Sequence, residues 1–207
     1  MKLNSRWVNK KNFARLGMVT ATLLVLTQLG TMLIYGFVYN GYSGGKIMDL
    51  IFDSISLVFY FIVLNNYRMS ENNLFHGYYA SLLLIICDFV LPLIMNMIQG
   101  AFNLMLIIPS LSLIMVVLYF VFLTLENKKR TLKDCKNLEI VGIVTAVVMI
   151  ASGIQGFYTL FAGGLVFTSA VDYVAIIVSI MHQLAVSIGL PLVFAFYPFV
   201  LYKERYL

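Results

Sequence analysis

Charged residues are scarce in this sequence, and their scarcity excludes a soluble globular domain. Only 11% of the 207 residues are charged and 61% are hydrophobic, whereas an average soluble domain is about 25% charged and about 45–50% apolar. The mean hydropathy is +0.93. A chain of this composition cannot cover a globular surface with polar groups, so much of its surface must contact lipid. The composition predicts an integral membrane protein.

Cysteine and histidine are also rare, and this removes several kinds of site. The two cysteines cannot build a disulfide framework, because Cys87 lies in an apolar run and Cys135 in a basic segment. No Cys/His cluster has metal-ligand spacing, and no glycine-rich phosphate loop is present. We therefore expect no metal, no cofactor and no catalytic residue, and we place an enzyme third among the functions considered.

Six apolar segments reach the length of about 20 residues that a membrane-crossing helix needs. They cover residues 16–38, 47–65, 78–97, 101–124, 139–162 and 173–201. They lack the two-residue alternation of membrane β-barrel strands. The first segment is longer than the apolar core of a signal peptide, about 7–15 residues, and no A-x-A site follows it, so we expect it to be retained. The predicted fold is all-α, one domain of six transmembrane helices over residues 1–207.

The positions of the basic residues predict the orientation of these helices. With the N-terminus in the cytoplasm, all fourteen Lys and Arg residues except Lys46 fall on the inner side. Both termini are then cytoplasmic, in a multi-pass protein of a bacterial inner (plasma) membrane. The net charge of +5 reflects this topology, so no nucleic-acid partner is expected.

Only one predicted soluble segment is sizeable, the cytoplasmic loop 125–138. Its basic residues are expected to contact anionic lipid headgroups or, alternatively, to bind a cytoplasmic partner. These residues are Lys128, Lys129, Arg130, Lys133 and Lys136.

Three ionisable side chains lie inside predicted helices: Asp53, Asp88 and His182. Such residues cost about 2.5–3.5 kcal/mol each on insertion scales and nearly always face a bundle interior or cavity. The polar companions Gln28, Gln155 and Gln183 lie in the first, fifth and sixth segments. Together they predict an intramembrane site for a cation, a proton or a small solute. The alternative is that each side chain makes its own interhelical hydrogen bond.

Prolines interrupt three of the predicted helices. Pro92 follows Asp88 by four residues, so its ring would free the Asp88 carbonyl, and broken transporter helices coordinate ions through such carbonyls. The alternative is that proline only bends the helix for packing. Pro109 and Pro191 repeat the pattern in the fourth and sixth segments. We expect the sixth segment to kink or break, with its final part near the membrane surface.

A close-packing pattern of glycine and alanine occurs twice, in GMVTA at 17–21 and GIVTA at 142–146. The size, the six predicted helices and the small-residue face of the first helix resemble, in architecture alone, the substrate-binding subunits of energy-coupling-factor vitamin transporters. We predict a small membrane transport protein, either a transporter subunit or an oligomeric channel, acting as a homo-oligomer or with a partner subunit. The alternative is a non-transporting sensor, anchor or immunity protein that acts through a cytosolic or membrane partner.

Overall fold

A computed structural model describes residues 7–38, 47–91, 94, 107–162 and 170–207. Within these ranges the chain is helical and contains no β-strand, which confirms the all-α prediction. The helices are α1 (Lys10–Leu33), α2 (Ile47–Ser70), α3 (Phe75–Ile85), α4 (Ile107–Lys129), α5 (Leu132–Ala162), α6 (Ala170–Leu184) and α7 (Leu190–Tyr206). Five-residue π-helical turns follow α1, α3 and α6, at Ile34–Val38, Ile86–Val90 and Ala185–Gly189.

Helix α1 begins before the apolar run that predicted it. The Asn9 side chain accepts a hydrogen bond from the Asn12 backbone N–H at 2.8 Å, which caps the first turn. Hydropathy detects the apolar run only from Leu16 onward and does not register this polar start. The segment 125–138, which was expected to be a loop, is mostly helical. Only Arg130 and Thr131 interrupt the helices there.

The sixth segment does not break at Pro191. Pro191 follows the π-helical turn Ala185–Gly189, in which the Leu190 N–H bonds to the Ala185 carbonyl. Proline lacks an N–H and its ring clashes with the carbonyl four residues earlier, so the wider π turn accommodates it and the run Ala170–Tyr206 continues. Pro109 lies in α4 without a described side chain, and Pro92 lies outside the described residues.

Helix α7 forms the centre of the bundle. It contacts α1, α3 and α5, and Val193, Phe194, Val200 and Leu201 are fully buried. Around it, α1 packs on α2 and α6, α2 packs on α3, and α4 packs on α3 and α5. Hydropathy could not predict this position, because lipid and a protein core are both apolar surroundings.

The start of the described chain, at Trp7, and the end of α7 lie at one end of the bundle, which we call the basic end. There the Lys10 ammonium pairs with Glu204 at 2.7 Å, and Lys203 donates to the Val8 carbonyl at 2.9 Å. Arg205 pairs with Glu126, near the end of α4, also at 2.7 Å. The basic end therefore includes the start of α1, the end of α7 and the turn between α4 and α5.

Four helical runs of the described residues are long and apolar enough to cross a membrane: Lys10–Gly36, Met48–Ser70, Leu132–Ile154 and Ala170–Tyr206. On α5, Ile140, Val147 and Ile154 are each at least 60% exposed. Their spacing of seven residues places them along one face, an apolar stripe suited to lipid contact. These helices and this apolar stripe are compatible with a multi-pass membrane protein.

Both glycines of the close-packing pattern lie at helix contacts within the bundle. A Cβ atom on Gly17 would overlap the ring of the buried Tyr67 on α2. A Cβ atom on Gly142 would lie 2.9 Å from the backbone oxygen of Phe194 on α7. These positions let α1 approach α2, and α5 approach α7, closely enough to bury the aromatic core.

We expect Gly142→Ala to destabilise the protein by about 1–3 kcal/mol, because α5 must move away from the α7 backbone. Thermal unfolding in detergent measures the effect. Gly30→Ala is the matched control, since its Cβ would meet only side-chain atoms of Val178, the nearest at 3.0 Å. A Gly142→Ala protein as stable as the Gly30→Ala protein would contradict the close approach.

Candidate functional site

Helix α1 carries two adjacent polar side chains that reach two different helices. Gln28 is 8% exposed, and its Nε2 donates to Asp53 Oδ1 at 3.0 Å and to the Asp53 carbonyl at 3.3 Å. Both bonds join α1 to α2. The amide thus uses both of its N–H donors on a single residue of the neighbouring helix.

Thr27 makes the corresponding contact to α6. Its Oγ1 lies 3.2 Å from His182 Nδ1 and 2.8 Å from the Leu23 carbonyl oxygen. A hydroxyl has one proton, and the shorter contact assigns that proton to the Leu23 carbonyl. Thr27 Oγ1 then accepts from an Nδ1–H of His182, and in a neutral ring Nε2 is the acceptor nitrogen.

Asp88 contacts α2 rather than α1. The Tyr60 hydroxyl donates to Asp88 Oδ1 at 2.6 Å, and Tyr60 is only 3% exposed. Asp88 Oδ2 is buried and has no hydrogen-bond partner among the described residues. Asp88 lies in the π-helical turn Ile86–Val90, and such turns occur often at functional sites.

These contacts form two polar tiers. The first tier comprises Thr27, Gln28, Asp53 and His182, and the second comprises Tyr60 and Asp88. Tyr60 follows Asp53 by seven residues on α2, which places it on the same face about 10 Å further along the axis. The two aspartates make separate hydrogen bonds, Asp53 with Gln28 and Asp88 with Tyr60. The described residues contain no group of three or more His, Cys, Asp or Glu side chains that could hold a metal ion.

Of the two remaining predicted site residues, only Gln183 has a described side chain, and its hydrogen bonds lie outside these tiers. Gln183 Nε2 donates to Ser187 Oγ, four residues further along the same helical run, at 2.9 Å, and to the Gly153 carbonyl at 3.3 Å. The bond to Gly153 joins α6 to α5. The side chain of Gln155 lies outside the described part of the structure. Gln183 thus fits the alternative of a separate packing hydrogen bond.

Sequence reasoning missed Thr27 and Tyr60. Threonine and tyrosine are common in apolar membrane helices, and neither stands out as an ionisable residue does. The sequence held only weak signals that these two residues belong to a polar site: Thr27 precedes Gln28, and Tyr60 is two helical turns from Asp53.

The five basic residues predicted for lipid or partner contact are all exposed at the basic end. They are Lys128, Lys129, Arg130, Lys133 and Lys136. They lie on the last turn of α4, the interhelical turn and the first turns of α5.

Comparison of the chain with protein-family models, curated proteins and solved structures gives no match. The two tiers are therefore interpreted from their own geometry.

We expect Tyr60→Phe to destabilise the protein by about 1–3 kcal/mol, because it leaves Asp88 Oδ1 buried without its donor. In a double-mutant cycle with Asp88→Asn, the two losses should be non-additive by about 0.5–3 kcal/mol. Thermal unfolding in detergent measures the stability of the wild type, the two single variants and the double variant.

The matched control for this cycle is Tyr79→Phe, which removes the same hydroxyl from a tyrosine that is 42% exposed. Additive effects of Tyr60→Phe and Asp88→Asn would show that the two side chains are not coupled.

Proposed function

We propose that this chain is a small transport protein of a bacterial inner membrane, in which the Asp88 carboxyl group carries a proton or a small cation. The proposed topology has six transmembrane helices with both termini cytoplasmic. The basic end supports that orientation, because it gathers basic residues at one end of the bundle and the positive-inside rule assigns such an end to the cytoplasm.

The observation that carries the proposal is the half-satisfied carboxyl group of Asp88. Tyr60 stabilises Oδ1, while Oδ2 is buried with no partner among the described residues. A buried polar atom without a hydrogen bond is costly. A proton on Oδ2, or a small cation beside it, would remove that cost, so this atom is the natural place for the transported species to bind.

The first polar tier supports a path that extends beyond Asp88. Asp53 and His182 contact the adjacent α1 residues Gln28 and Thr27, about two helical turns from the second tier. Titratable groups at successive depths are typical of proton relays in membrane proteins. A packing role alone would not need carboxylates, because Asn or Thr could make the same hydrogen bonds at lower insertion cost.

A single bundle of six helices leaves limited room for the alternating access of a transporter. We therefore propose a homo-oligomer or a complex with a partner subunit. The exposed apolar faces, such as the stripe Ile140, Val147 and Ile154 on α5, offer surface for helix contacts in addition to lipid.

The second candidate function is a non-transporting sensor, anchor or immunity protein. The exposure of the basic residues around the turn between α4 and α5 favours it, because a cytosolic acidic partner could bind there. This candidate gives Asp88 a structural role only, and therefore makes the opposite prediction for ion flux.

We expect liposomes containing the purified protein to show proton, sodium or potassium flux under an imposed membrane potential, and Asp88→Asn to abolish it. The reason is that an amide cannot take up a proton or neutralise a cation as a carboxylate does. An enclosed pH-sensitive dye or cation indicator measures the flux.

Asp134→Asn is the control, because it makes the same chemical change at the start of α5 near the basic end. Flux that survives the Asp53→Asn, Asp88→Asn double substitution would show that the proposed site does not carry the transported ion. Wild-type liposomes no more permeable than empty ones would favour the non-transporting candidate.

A further inference from the structure

A cleft opens at the basic end, where four separate parts of the chain meet. It has a volume of about 450 Å³, within the range of small-ligand sites. It lies between the start of α1, the turn from α2 to α3, the turn from α4 to α5 and the end of α7. The polar residues that line it are Lys10, Asn72, Asn73, Arg130, Glu204 and Arg205.

The charges around this cleft are unbalanced in favour of cations. Lys10 pairs with Glu204, and Arg205 pairs with Glu126 behind the cleft. The guanidinium of Arg130 makes no hydrogen bond or ion pair with any described residue. Arg205 uses one of its nitrogens, Nη1, on Glu126, so its other N–H donors remain for a ligand.

Arg130 occupies a backbone conformation that arginine seldom adopts. Its φ is 52°, and its N–H bonds to the Glu126 carbonyl at 2.7 Å, which closes the end of α4. Glycine or asparagine normally fills such a position, because a larger L-residue is strained there. This conformation ends α4 at the cleft, which Arg130 lines.

We propose that this cleft binds a phosphate group through Arg130, Arg205 and the two asparagine amides. Guanidinium groups match phosphate oxygens in geometry and charge. The phosphate could belong to an anionic phospholipid headgroup or to a soluble phosphate compound.

The surroundings of the cleft favour the lipid source. Phe75 lines the cleft and contacts the ring of Tyr79, with centroids 4.7 Å apart. Both rings are more than a third exposed. Exposed aromatic rings are typical of the membrane–water interface, where a headgroup phosphate would be presented to the cleft.

The test compares Arg130→Asn with Lys128→Asn. Asparagine tolerates the left-handed conformation, so Arg130→Asn removes the cation and preserves the end of α4. Lys128→Asn removes one exposed charge from the same helix end without touching the cleft. Each full-length protein is placed in nanodiscs of phosphatidylcholine with phosphatidylglycerol, and native mass spectrometry measures the phosphatidylglycerol that remains bound.

We expect Arg130→Asn to weaken phosphatidylglycerol retention about tenfold, and Lys128→Asn to leave it close to wild type. A second arm measures thermal stabilisation of lipid-free protein by inorganic phosphate against chloride at equal ionic strength. Stabilisation by phosphate that is lost in Arg130→Asn, without phosphatidylglycerol selectivity, would assign the cleft to a soluble phosphate compound.

Two results would overturn the phosphate site. One is equal weakening by both substitutions, which would show only non-specific surface charge. The other is a wild-type protein that neither retains phosphatidylglycerol over phosphatidylcholine nor gains stability from phosphate. This second result would overturn the site even if Arg130→Asn fails to fold.

Discussion

The hydrogen bonds of Thr27 and Gln28 connect the polar parts of this bundle, because both residues lie on one helix and reach two others. Gln28 contacts Asp53 on α2, and Thr27 contacts His182 on α6. In a membrane, a polar side chain without such a partner would face hydrocarbon at considerable cost. The need for partners therefore fixes how α1, α2 and α6 are rotated about their axes. The polar tiers follow from that arrangement.

The bundle is packed unevenly along its length, and this bears on the proposed transport. No residue of α6, which carries His182, is fully buried, whereas α7 buries eight residues, including Phe194 and Leu201. The π-helical turn Ala185–Gly189 joins the two parts. Regions with few buried apolar contacts open at lower free energy than a tight core. In the proposed transport, α6 with His182 is therefore the part expected to open more readily than α7.

Much of the fold could be predicted, because helix length, hydropathy and basic residues are local properties of the sequence. The positions of Asp53 and Asp88 inside helices were predictable in the same way. Their partners were not, since Tyr60 and Thr27 look like ordinary members of apolar runs. The central position of α7 was missed because lipid and protein core select the same apolar side chains.

The cleft at the basic end could not be predicted for a different reason. Its residues come from four segments that lie far apart in the sequence, from Lys10 to Arg205. Basic residues near helix ends also have a general role in topology. Only the folded bundle distinguishes Arg130, which faces a cavity, from Lys128, which is exposed on the same helix end.

The central claim is that the Asp88 carboxyl group exchanges protons or cations with water through the membrane. Infrared difference spectroscopy of the reconstituted protein between acidic and alkaline pH tests this directly. We predict a carbonyl-stretch band of a protonated carboxylic acid that disappears as the pH rises, shifts in D₂O and is absent from Asp88→Asn. A spectrum in which Asp88→Asn and wild type are identical would contradict the claim.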